Sequence, residues 1–380
     1  MSIYACRVCG NAFFEKPLLH YENMPSAAQN FPDAASLTEE AGAGLTVCQC
    51  SGCGLVQLDN EPVPYYKEVI RAAAVSAVIK DIKTRQLAGF IRKYSLQGKK
   101  IIEVGCGRGE FLELLRTLDV AACGLEYSES AAAHCVKNGL KVSRGYPDSG
   151  TGTLAGGPFD AFLLLMFLEH MPDPDSALKA IRDNLTDGAV GLVEVPNFDM
   201  MLRNKLFSEF IGDHLLYFSR ETLRTTLNLN GFEVIECGEL RDGYVISAVV
   251  RKRGKLDISG FYDQQTRIAA GINEYIGRFG EKKVAIWGAG HQALAIIALA
   301  KIQDKIRYVV DAAPFKQGKY TPATHLPVVA PETLRADPVE AVIVMAASYS
   351  DEVVGILRRE FSPAMKLAIL RDFGREMIGP

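Results

Sequence analysis

The sequence predicts an α/β protein in which two doubly wound, mostly parallel sheets follow a small cysteine-rich segment. Three observations support this fold class. Strand and helix patterns alternate from 71 to 255 and again from 256 to 380, which indicates parallel strands joined by helical crossovers. A glycine-rich turn follows a buried strand once in each region. Five of the nine cysteines lie within the first 53 residues. We therefore expect three domains, at 1–70, 71–255 and 256–380.

The two longer regions carry a regular series of elements. In the middle region, apolar residues at helical spacing predict helices at 75–94, 110–118, 128–138, 175–185 and 220–230. Short apolar runs predict strands there at 100–104, 121–126, 159–166 and 190–195, with a final pair at 232–239 and 244–251. The last region repeats the pattern, with helices at 262–279, 293–301 and 351–360 and strands at 283–287, 306–311 and 341–345.

Composition excludes several classes of function. The 380 residues carry 42 basic and 45 acidic side chains without a long basic run, so we expect no nucleic-acid partner. The most apolar run, 161–168, is too short to cross a bilayer. Residues 1–9 lack a cationic stretch followed by an apolar one, so no secretory signal is expected. We expect a cytoplasmic protein without a membrane partner, whose clustered cysteines bind metal instead of forming disulfides.

Two Cys-x-x-Cys pairs predict a structural zinc site. The first pair is Cys6 and Cys9, the second is Cys50 and Cys53, and a glycine directly follows each pair. Four thiolates complete a tetrahedral shell with no open position, so the ion is expected to order the segment and not to catalyse. Free structural thiols are the alternative interpretation. Cys48 lies outside both pairs and is expected to act as a small apolar residue.

A glycine-rich turn in the middle region predicts a nucleotide-type ligand. Gly105, Gly107 and Gly109 follow the predicted strand 100–104 and open a helix. Glycines let the backbone turn sharply and approach a ligand closely. Glu126 ends the next strand, where a carboxylate accepts hydrogen bonds from a ribose diol. These features alone fit a nicotinamide dinucleotide as well as S-adenosylmethionine (SAM).

The middle region resembles class I SAM-dependent methyltransferases. In that superfamily an acidic residue precedes the first glycine, as Glu103 does here, and supports the turn near the methionine ammonium. Phe159-Asp160, leading into Phe-Leu-Glu-His-Met-Pro-Asp-Pro at 167–174, is similar to the superfamily's fourth-strand signature. The resemblance implies SAM as the cofactor. It implies cofactor contacts from Glu103, Gly105, Cys106, Gly107, Gly109, Glu126, Phe167 and Leu168.

A candidate base lies further along the chain. Methylation of carbon needs the removal of a proton as well as alignment with the sulfonium. His214, in Gly-Asp-His-Leu-Leu-Tyr-Phe-Ser at 212–219, is the best candidate because imidazole accepts protons near neutrality. Asp213 and Tyr217 are polar neighbours in sequence. A lone loop histidine is more often structural or solvated, so chemistry alone leaves both interpretations open.

The whole chain resembles the sugar C-methyltransferases that act on nucleotide-linked keto-sugars. The resemblance rests on the cysteine pairs with Cys-Gly-Leu-Val-Gln-Leu at 53–58, the SAM turn, the His-x-x-Tyr-Phe-Ser segment, and Phe-Lys-Gln-Gly-Lys-Tyr-Thr-Pro at 315–322. It implies that His214 removes the proton α to a ketone, giving an enolate that takes the methyl group. It also implies that Asp213 and Tyr217 lie at the substrate, together with a tyrosine after the zinc segment, Tyr65 or Tyr66.

Three departures from that family concern substrate-facing regions. Asp213 stands where the family usually has glutamate. A Ser- and Tyr-rich stretch after the zinc segment is replaced at 68–77 mostly by Ala and Val. The family's Gly-Ala-x-x-Lys-Gly loop reads Gly-Ala-Gly-His-Gln-Ala at 288–293, and its Trp-Asn pair is absent from 346–349. Methyl transfer is therefore better supported than the sugar acceptor.

The last region carries a second glycine turn. Gly288 and Gly290 follow a strand, Ala293 comes three residues later, and Asp311 ends the next strand. This pattern fits a nucleotide or phosphate at the helix N-terminus, a redox cofactor such as NAD(P), or a degenerate Rossmann-like domain that binds neither. The family resemblance favours substrate binding. Its candidate contacts are His170 of the middle region with Gly288, Gly290, His291, Lys316, Lys319 and Tyr320.

Two other functions fit the same sequence features. The chain could be an O- or N-methyltransferase for another small molecule, or a protein that binds SAM or a nucleotide without catalysis. Since only methylation of carbon requires an enolate, proton exchange at the acceptor separates the first of these from a C-methyltransferase.

Overall fold

The computed structural model describes residues 3–378 except 27, 30, 39, 69–75 and 372–373. The first residue of the helix expected at 75–94 and the expected domain boundary after residue 70 lie outside the described residues. The chain forms two compact units, Met1–Gly254 and Lys255–Pro380. None of its described helices combines the length and the apolar character needed to span a bilayer.

A seven-stranded sheet forms the centre of the first unit, in the order β10-β11-β8-β7-β4-β5-β6. Its strands are β4 (Lys100–Val104), β5 (Ala121–Glu126), β6 (Val142–Arg144), β7 (Phe159–Leu165), β8 (Leu185–Pro196), β10 (Phe232–Leu240) and β11 (Val245–Lys252). Strands β8, β7, β4, β5 and β6 run parallel, whereas β10, β11 and β8 pair antiparallel. From β4, the chain first adds β5 and β6 on one side of this strand, and it then crosses over to place β7 on the other side. Such a switch point opens a ligand crevice at the carboxyl ends of the strands.

Helices pack on both faces of this sheet. They are α1 (Ala77–Lys93), α2 (Glu110–Arg116), α3 (Glu129–Lys137), α4 (Pro174–Asp183) and α6 (Arg220–Leu229). Helix α5 (Phe198–Asn204) packs instead with a separate apolar cluster that includes Leu45 and Leu58. On β7, Phe162 and Leu164 pack with α4 and α6, whereas Ala161 and Leu163 pack with α1 and α2. A strand covered on both faces has no polar side, which explains the apolar run at 161–168. The doubly wound α/β fold predicted from the sequence is confirmed.

A small antiparallel sheet joins the N-terminal segment to a later loop. Its order is β1-β2-β3-β9, with β1 (Leu19–Met24), β2 (Ala43–Gln49), β3 (Val56–Leu58) and β9 (Leu216–Tyr217). Val56 of β3 pairs with Tyr217 of β9. Cys6, Cys50 and Leu55 also pack into the core that holds Phe162. The cysteine-rich segment is thus built onto the loop that carries His214.

The second unit contains a six-stranded sheet in the order β14-β13-β12-β15-β16-β17. All neighbours are parallel except β16 and β17. Its strands are β12 (Val284–Trp287), β13 (Ile306–Val310), β14 (Val328–Val329), β15 (Ala341–Val344), β16 (Lys366–Arg371) and β17 (Gly374–Ile378), and its helices are α7 (Ser259–Ile276), α8 (His291–Leu299), α9 (Thr333–Ala336) and α10 (Ser350–Glu360). The strands and helices predicted for this region are all present, with small shifts of their ends, and β14, β16, β17 and α9 are additional.

Candidate active site

The first glycine turn has a backbone that only glycine adopts easily. Gly105, Gly107 and Gly109 have φ values of +71°, +56° and +85°. A Cβ on Gly105 would lie 2.5 Å from a ring carbon of Phe167, and a Cβ on Gly109 would lie 2.4 Å from Leu140 Cδ1. The turn leads from β4 into α2 at the switch point of the sheet. Both the sign of φ and the close packing therefore require glycine here.

The carboxylate at the end of β5 is tied to this turn. Glu126 accepts hydrogen bonds from the amides of Gly107 and Ser128, both at 2.8 Å. Burial raises the pKa of the Glu126 carboxyl, and these amides offset only part of that effect. Each oxygen keeps a lone pair for a ligand hydroxyl. Glu103, the penultimate residue of β4, is also buried.

Three predicted cofactor contacts occupy different positions. Phe167 lies against Gly105, and its ring centroid is 6.0 Å from that of Tyr146. Leu168 is fully buried in the core of the sheet. Cys106 is buried as well, and its Sγ would lie 2.5 Å from a Cβ on Gly124. Phe167 therefore borders the turn, whereas Leu168 and the side chain of Cys106 belong to the interior.

The two tyrosines after the zinc segment take different directions. The Tyr65 hydroxyl donates to the carboxylate of Asp213, with oxygen–oxygen distances of 3.0 and 3.1 Å. The Tyr66 ring instead packs edge-on against Tyr146 at 5.8 Å. Tyr65 is thus brought to the histidine segment, and Tyr66 lies with the aromatic side chains that border the glycine turn.

Asp213 anchors the loop that carries His214. Its side chain is buried and also accepts a hydrogen bond from the amide of Ala28 at 2.9 Å. Its backbone carbonyl is 2.7 Å from Nδ1 of His170, which must donate because a carbonyl oxygen only accepts. His214 itself is partly exposed. One aspartate therefore connects Tyr65, His170 and the backbone next to His214.

The rings of His170 and His214 are in edge-to-face contact. The ring centroids are 4.7 Å apart, and the planes of the two rings meet at 74°. Burial lowers the pKa of His170 to about 4, and burial together with the neighbouring His170 lowers that of His214 to about 3. Both imidazoles are therefore uncharged near neutral pH, and each keeps one nitrogen lone pair.

Glu169 completes this cluster, although the sequence marks it only as a polar residue at a strand end. It is 1% exposed, and burial raises the pKa of its carboxyl to about 8. Its Oε1 lies 3.9 Å from Nε2 of His170. The Glu-His pair before Met-Pro-Asp-Pro is visible in the sequence, but its approach to His214 depends on the tertiary fold.

Tyr217 has a hydroxyl that is engaged with the backbone. The oxygen lies 3.0 Å from the amide nitrogen of Ile211 and 3.3 Å from its carbonyl oxygen. The side chain is buried and contacts the aromatic cluster of Phe198 and Phe210. Tyr217 thus fixes the backbone at Ile211, three residues before His214.

The two cysteine pairs of the N-terminal segment bring their four sulfur atoms into one cluster. Sγ of Cys6 lies 3.6 Å from that of Cys53, and Sγ of Cys9 lies 3.3 Å from that of Cys50. All four sulfur atoms lie within 4.8 Å of one another. The amides of Gly52 and Cys53 both donate to Cys50 Sγ at 3.3 Å. This donor set and spacing fit a tetrahedral zinc ion.

The second glycine turn borders a separate cavity of about 370 Å³ within the C-terminal unit. Gly288, Gly290, His291 and Lys316 line it. Lys316 Nζ donates to Asp311 at 2.9 Å, and Asp311 also accepts from the turn amide of Ala289 at 2.8 Å. The remaining two predicted contacts, Lys319 and Tyr320, are exposed and lie outside this lining.

Comparison with known proteins gives two matching family models. A methyltransferase domain matches residues 76–237, and a C-methyltransferase C-terminal domain matches residues 261–365. The C-methyltransferase NovU of Streptomyces niveus is 23% identical over 92% of this chain and 91% of that protein. A ubiquinone biosynthesis O-methyltransferase of Methylococcus capsulatus is 38% identical, but the match spans 23% of this chain and 38% of that enzyme.

Solved structures also align with part of the chain. CalS10, an amino pentose methyltransferase from Micromonospora echinaspora, is 18% identical with a TM-score of 0.37, covering 46% of this chain and 91% of that one. A SAM-dependent methyltransferase from Clostridium acetobutylicum is 11% identical with a TM-score of 0.39, covering 46% of this chain and 92% of that one.

The two family models lie in the two units of the chain, and together they match more than half of it. NovU aligns with both units in the same order. Over both of its units the chain is similar to C-methyltransferases, and it is a SAM-dependent methyltransferase.

Proposed function

We propose that this enzyme methylates the carbon next to a ketone on a nucleotide-linked keto-sugar, with His214 as the base that forms the enolate. The observation that carries the proposal is the setting of His214. It is a partly exposed imidazole whose neighbours Asp213 and His170 are buried and hydrogen-bonded to each other. The alignment with a C-methyltransferase over both units supports methylation of carbon.

His214 has the charge state that a base requires. A general base must be unprotonated before it accepts a proton, and burial next to His170 keeps this imidazole neutral. The low pKa also makes it a weak base in the empty site. Once His214 has accepted the α proton, its imidazolium carries a positive charge close to the negatively charged enolate, and these opposite charges attract.

The reaction then follows from the groups present. Bound SAM supplies a methyl group on a positively charged sulfur. The turn at 105–109, with Glu103 before it, would hold the methionine part, and Glu126 would accept hydrogen bonds from the ribose hydroxyls. One ring nitrogen of His214 takes the α proton, and the electron pair of the C–H bond moves toward the ketone oxygen. The α carbon would then bond to the methyl carbon of SAM, while the S–C bond breaks and its electron pair stays on the now neutral sulfur.

Asp213, Tyr65 and Tyr217 position this base. Tyr65 and the amide of Ala28 hold the Asp213 side chain, and the hydroxyl of Tyr217 holds the preceding loop through Ile211. An imidazole must lie within hydrogen-bond reach of the proton that it removes, so these contacts limit its position before the acceptor binds. Tyr65 is also the better candidate than Tyr66 for contact with the sugar, because it lies beside Asp213.

Zinc and acceptor binding complete the proposal. Four thiolates from Cys6, Cys9, Cys50 and Cys53 would hold one zinc ion with no open position, so the ion would order the module at 1–70. The cavity beside the second glycine turn is proposed to bind part of the acceptor. Asp311 argues against NAD(P) there, since Lys316 and two backbone amides already occupy its carboxylate.

Proton exchange in deuterium oxide tests the base. Wild-type enzyme with S-adenosylhomocysteine and a panel of nucleotide-linked keto-sugars should exchange the α hydrogen without methyl transfer, followed by NMR. His214→Asn should slow this exchange by about 100-fold or more. His325→Asn is the matched control, because His325 is exposed in the other unit. Methyl transfer without α exchange would indicate an O- or N-methyltransferase, and full turnover by His214→Asn would reject the base.

A further inference from the structure

Three side chains beside the proposed base form a compact set of metal ligands. Glu169, His170 and His214 each offer one donor atom, and these atoms lie within 4.8 Å of one another. Glu169 Oε1 and His170 Nε2 are 3.9 Å apart. Metal–ligand bonds of about 2.1 Å place neighbouring ligands roughly 3.4 Å apart, so this pair needs to close by only about half an ångström.

Glu169 provides an independent reason to expect a ligand. Its side chain is 1% exposed, and neither carboxylate oxygen has a hydrogen-bond partner among the residues that the structure describes. An unpaired buried carboxyl is costly, and native proteins seldom keep one without a ligand, ion or water. The Glu169 carboxyl lies next to the imidazoles of His170 and His214 and not next to any described Arg or Lys side chain. One carboxylate and two imidazoles are a common ligand set for a metal ion.

His170 is oriented as metal-binding histidines usually are. Its Nδ1–H donates to the carbonyl oxygen of Asp213 at 2.7 Å, which fixes the tautomer and leaves the lone pair on Nε2. Nε2 is the atom near Glu169. A backbone carbonyl behind the non-ligating nitrogen is a common outer contact of histidine ligands.

We propose that Glu169, His170 and His214 bind one divalent transition-metal ion, and that this ion stops methyl transfer. Two imidazoles with one carboxylate suit Zn²⁺, Co²⁺ or Ni²⁺, whereas Mg²⁺ and Ca²⁺ prefer oxygen ligands. The inhibitory part rests on the proposed function. A metal ion bound by the His214 lone pair leaves that nitrogen unable to accept the α proton.

Cobalt binding tests the site without any turnover. The full chain, loaded with one equivalent of Zn²⁺ for the four cysteines, is titrated with Co²⁺, and absorption in the visible region is recorded. We expect one additional Co²⁺ per chain with the weak bands of nitrogen and oxygen ligands, without the intense thiolate charge-transfer bands of a cysteine site. Glu169→Gln and His170→Asn should weaken this binding at least about 10-fold. Glu221→Gln, an exposed glutamate on α6, should bind like the wild type.

Inhibition tests the consequence. Zn²⁺ should inhibit methyl transfer by the wild type and by Glu221→Gln at the concentration that fills the site. For Glu169→Gln, the half-inhibitory Zn²⁺ concentration, measured against the same variant's metal-free rate, should rise at least about 10-fold. Thiolate-type bands alone, unchanged Co²⁺ binding in Glu169→Gln, or a rate that Zn²⁺ leaves unaltered or increases would each overturn the proposal. If no keto-sugar turns over, the proposed function fails while the cobalt titration still decides the site.

Discussion

The two glycine turns of this chain share a sequence pattern but differ in their local chemistry. Each follows a buried strand, opens a helix and has an acid at the end of the next strand. In the first turn, Gly105, Gly107 and Gly109 all have positive φ. In the second, Gly288 has a φ of +113°, whereas Gly290 has an ordinary φ of −87° and open space where a Cβ would lie.

The acids differ more than the glycines. Glu126 receives two backbone amides, and burial still raises the pKa of its carboxyl. Burial also acts to raise the pKa of Asp311, but hydrogen bonds from Lys316, Ala313 and Ala289 outweigh it, and the net shift is downward. The charge on Asp311 is thus already compensated within the protein. Glu126 can gain from the hydroxyls of a ligand, and this difference favours the first turn over the second as the place where SAM binds.

The largest expected effect comes from adding a methyl group to each turn. Gly105→Ala combines a positive φ, costing about 1–2 kcal/mol, with overlap against Phe167, costing about 1–3 kcal/mol. The unliganded turn should relax to avoid this cost and must regain its wild-type conformation to bind SAM, so SAM affinity measured by calorimetry should fall by about 30-fold or more. Gly290→Ala should leave it unchanged, since no atom of the described residues lies within 4 Å of the added Cβ. An equal loss of SAM affinity in both variants would show that the two turns do not differ in cofactor binding.

A smaller effect is expected from the acids. Glu126→Gln replaces a charged acceptor of hydrogen bonds by a neutral one, which weakens its contacts by about 1 kcal/mol. The dissociation constant of SAM should rise by about 5- to 10-fold, measured by the same titration. Asp311→Asn serves as the matched variant and should leave SAM binding as in the wild type. A comparable rise for Asp311→Asn would show that the second turn also contributes to cofactor binding.

The smallest expected effect concerns Lys316. Its ion pair with Asp311 is partly exposed, and such pairs contribute about 0–1 kcal/mol. Lys316→Met should lower the thermal stability of the second unit by up to about 1 kcal/mol and leave SAM affinity unchanged. Lys319→Met, an exposed neighbour, should stay within about 0.5 kcal/mol of the wild type. If the two variants unfold at the same temperature, Lys316 does not compensate Asp311.

The sequence predicts the central sheet well because its strands are apolar runs bounded by glycine or acidic residues. The expected strands at 100–104 and 121–126 coincide with β4 and β5. The sequence does not predict strand β1, because its side chains are largely exposed. Its residues, Leu-His-Tyr-Glu-Asn-Met, show no clear alternation of apolar and polar side chains. Strand β9 has only two residues and exists because it pairs with β3. Such strands depend on long-range pairing, which local patterns do not encode.

The candidate site shows the same division. Motif spacing identifies the glycine turn, Glu126 and the cysteine pairs, because the members of each set are close in sequence or follow neighbouring strands. It does not separate Tyr65 from Tyr66, since neighbours in an irregular segment point in different directions. Nor does it reveal the contact of Glu169 with the histidines, which needs the crossover from β7 to the loop before β9.

Strand β9 ties the N-terminal module to the loop that carries the proposed base, His214. The short loop that carries His214 leads directly into β9, which is the fourth strand of the module's sheet. Asp213 in this loop also accepts hydrogen bonds from the Tyr65 hydroxyl and the Ala28 amide. Removing the first seventy residues would strip this loop of its pairing partner and expose the apolar side chains beneath it. A shortened catalytic fragment is therefore a poor engineering target, and any exchange of the module between enzymes must carry its matching loop with it.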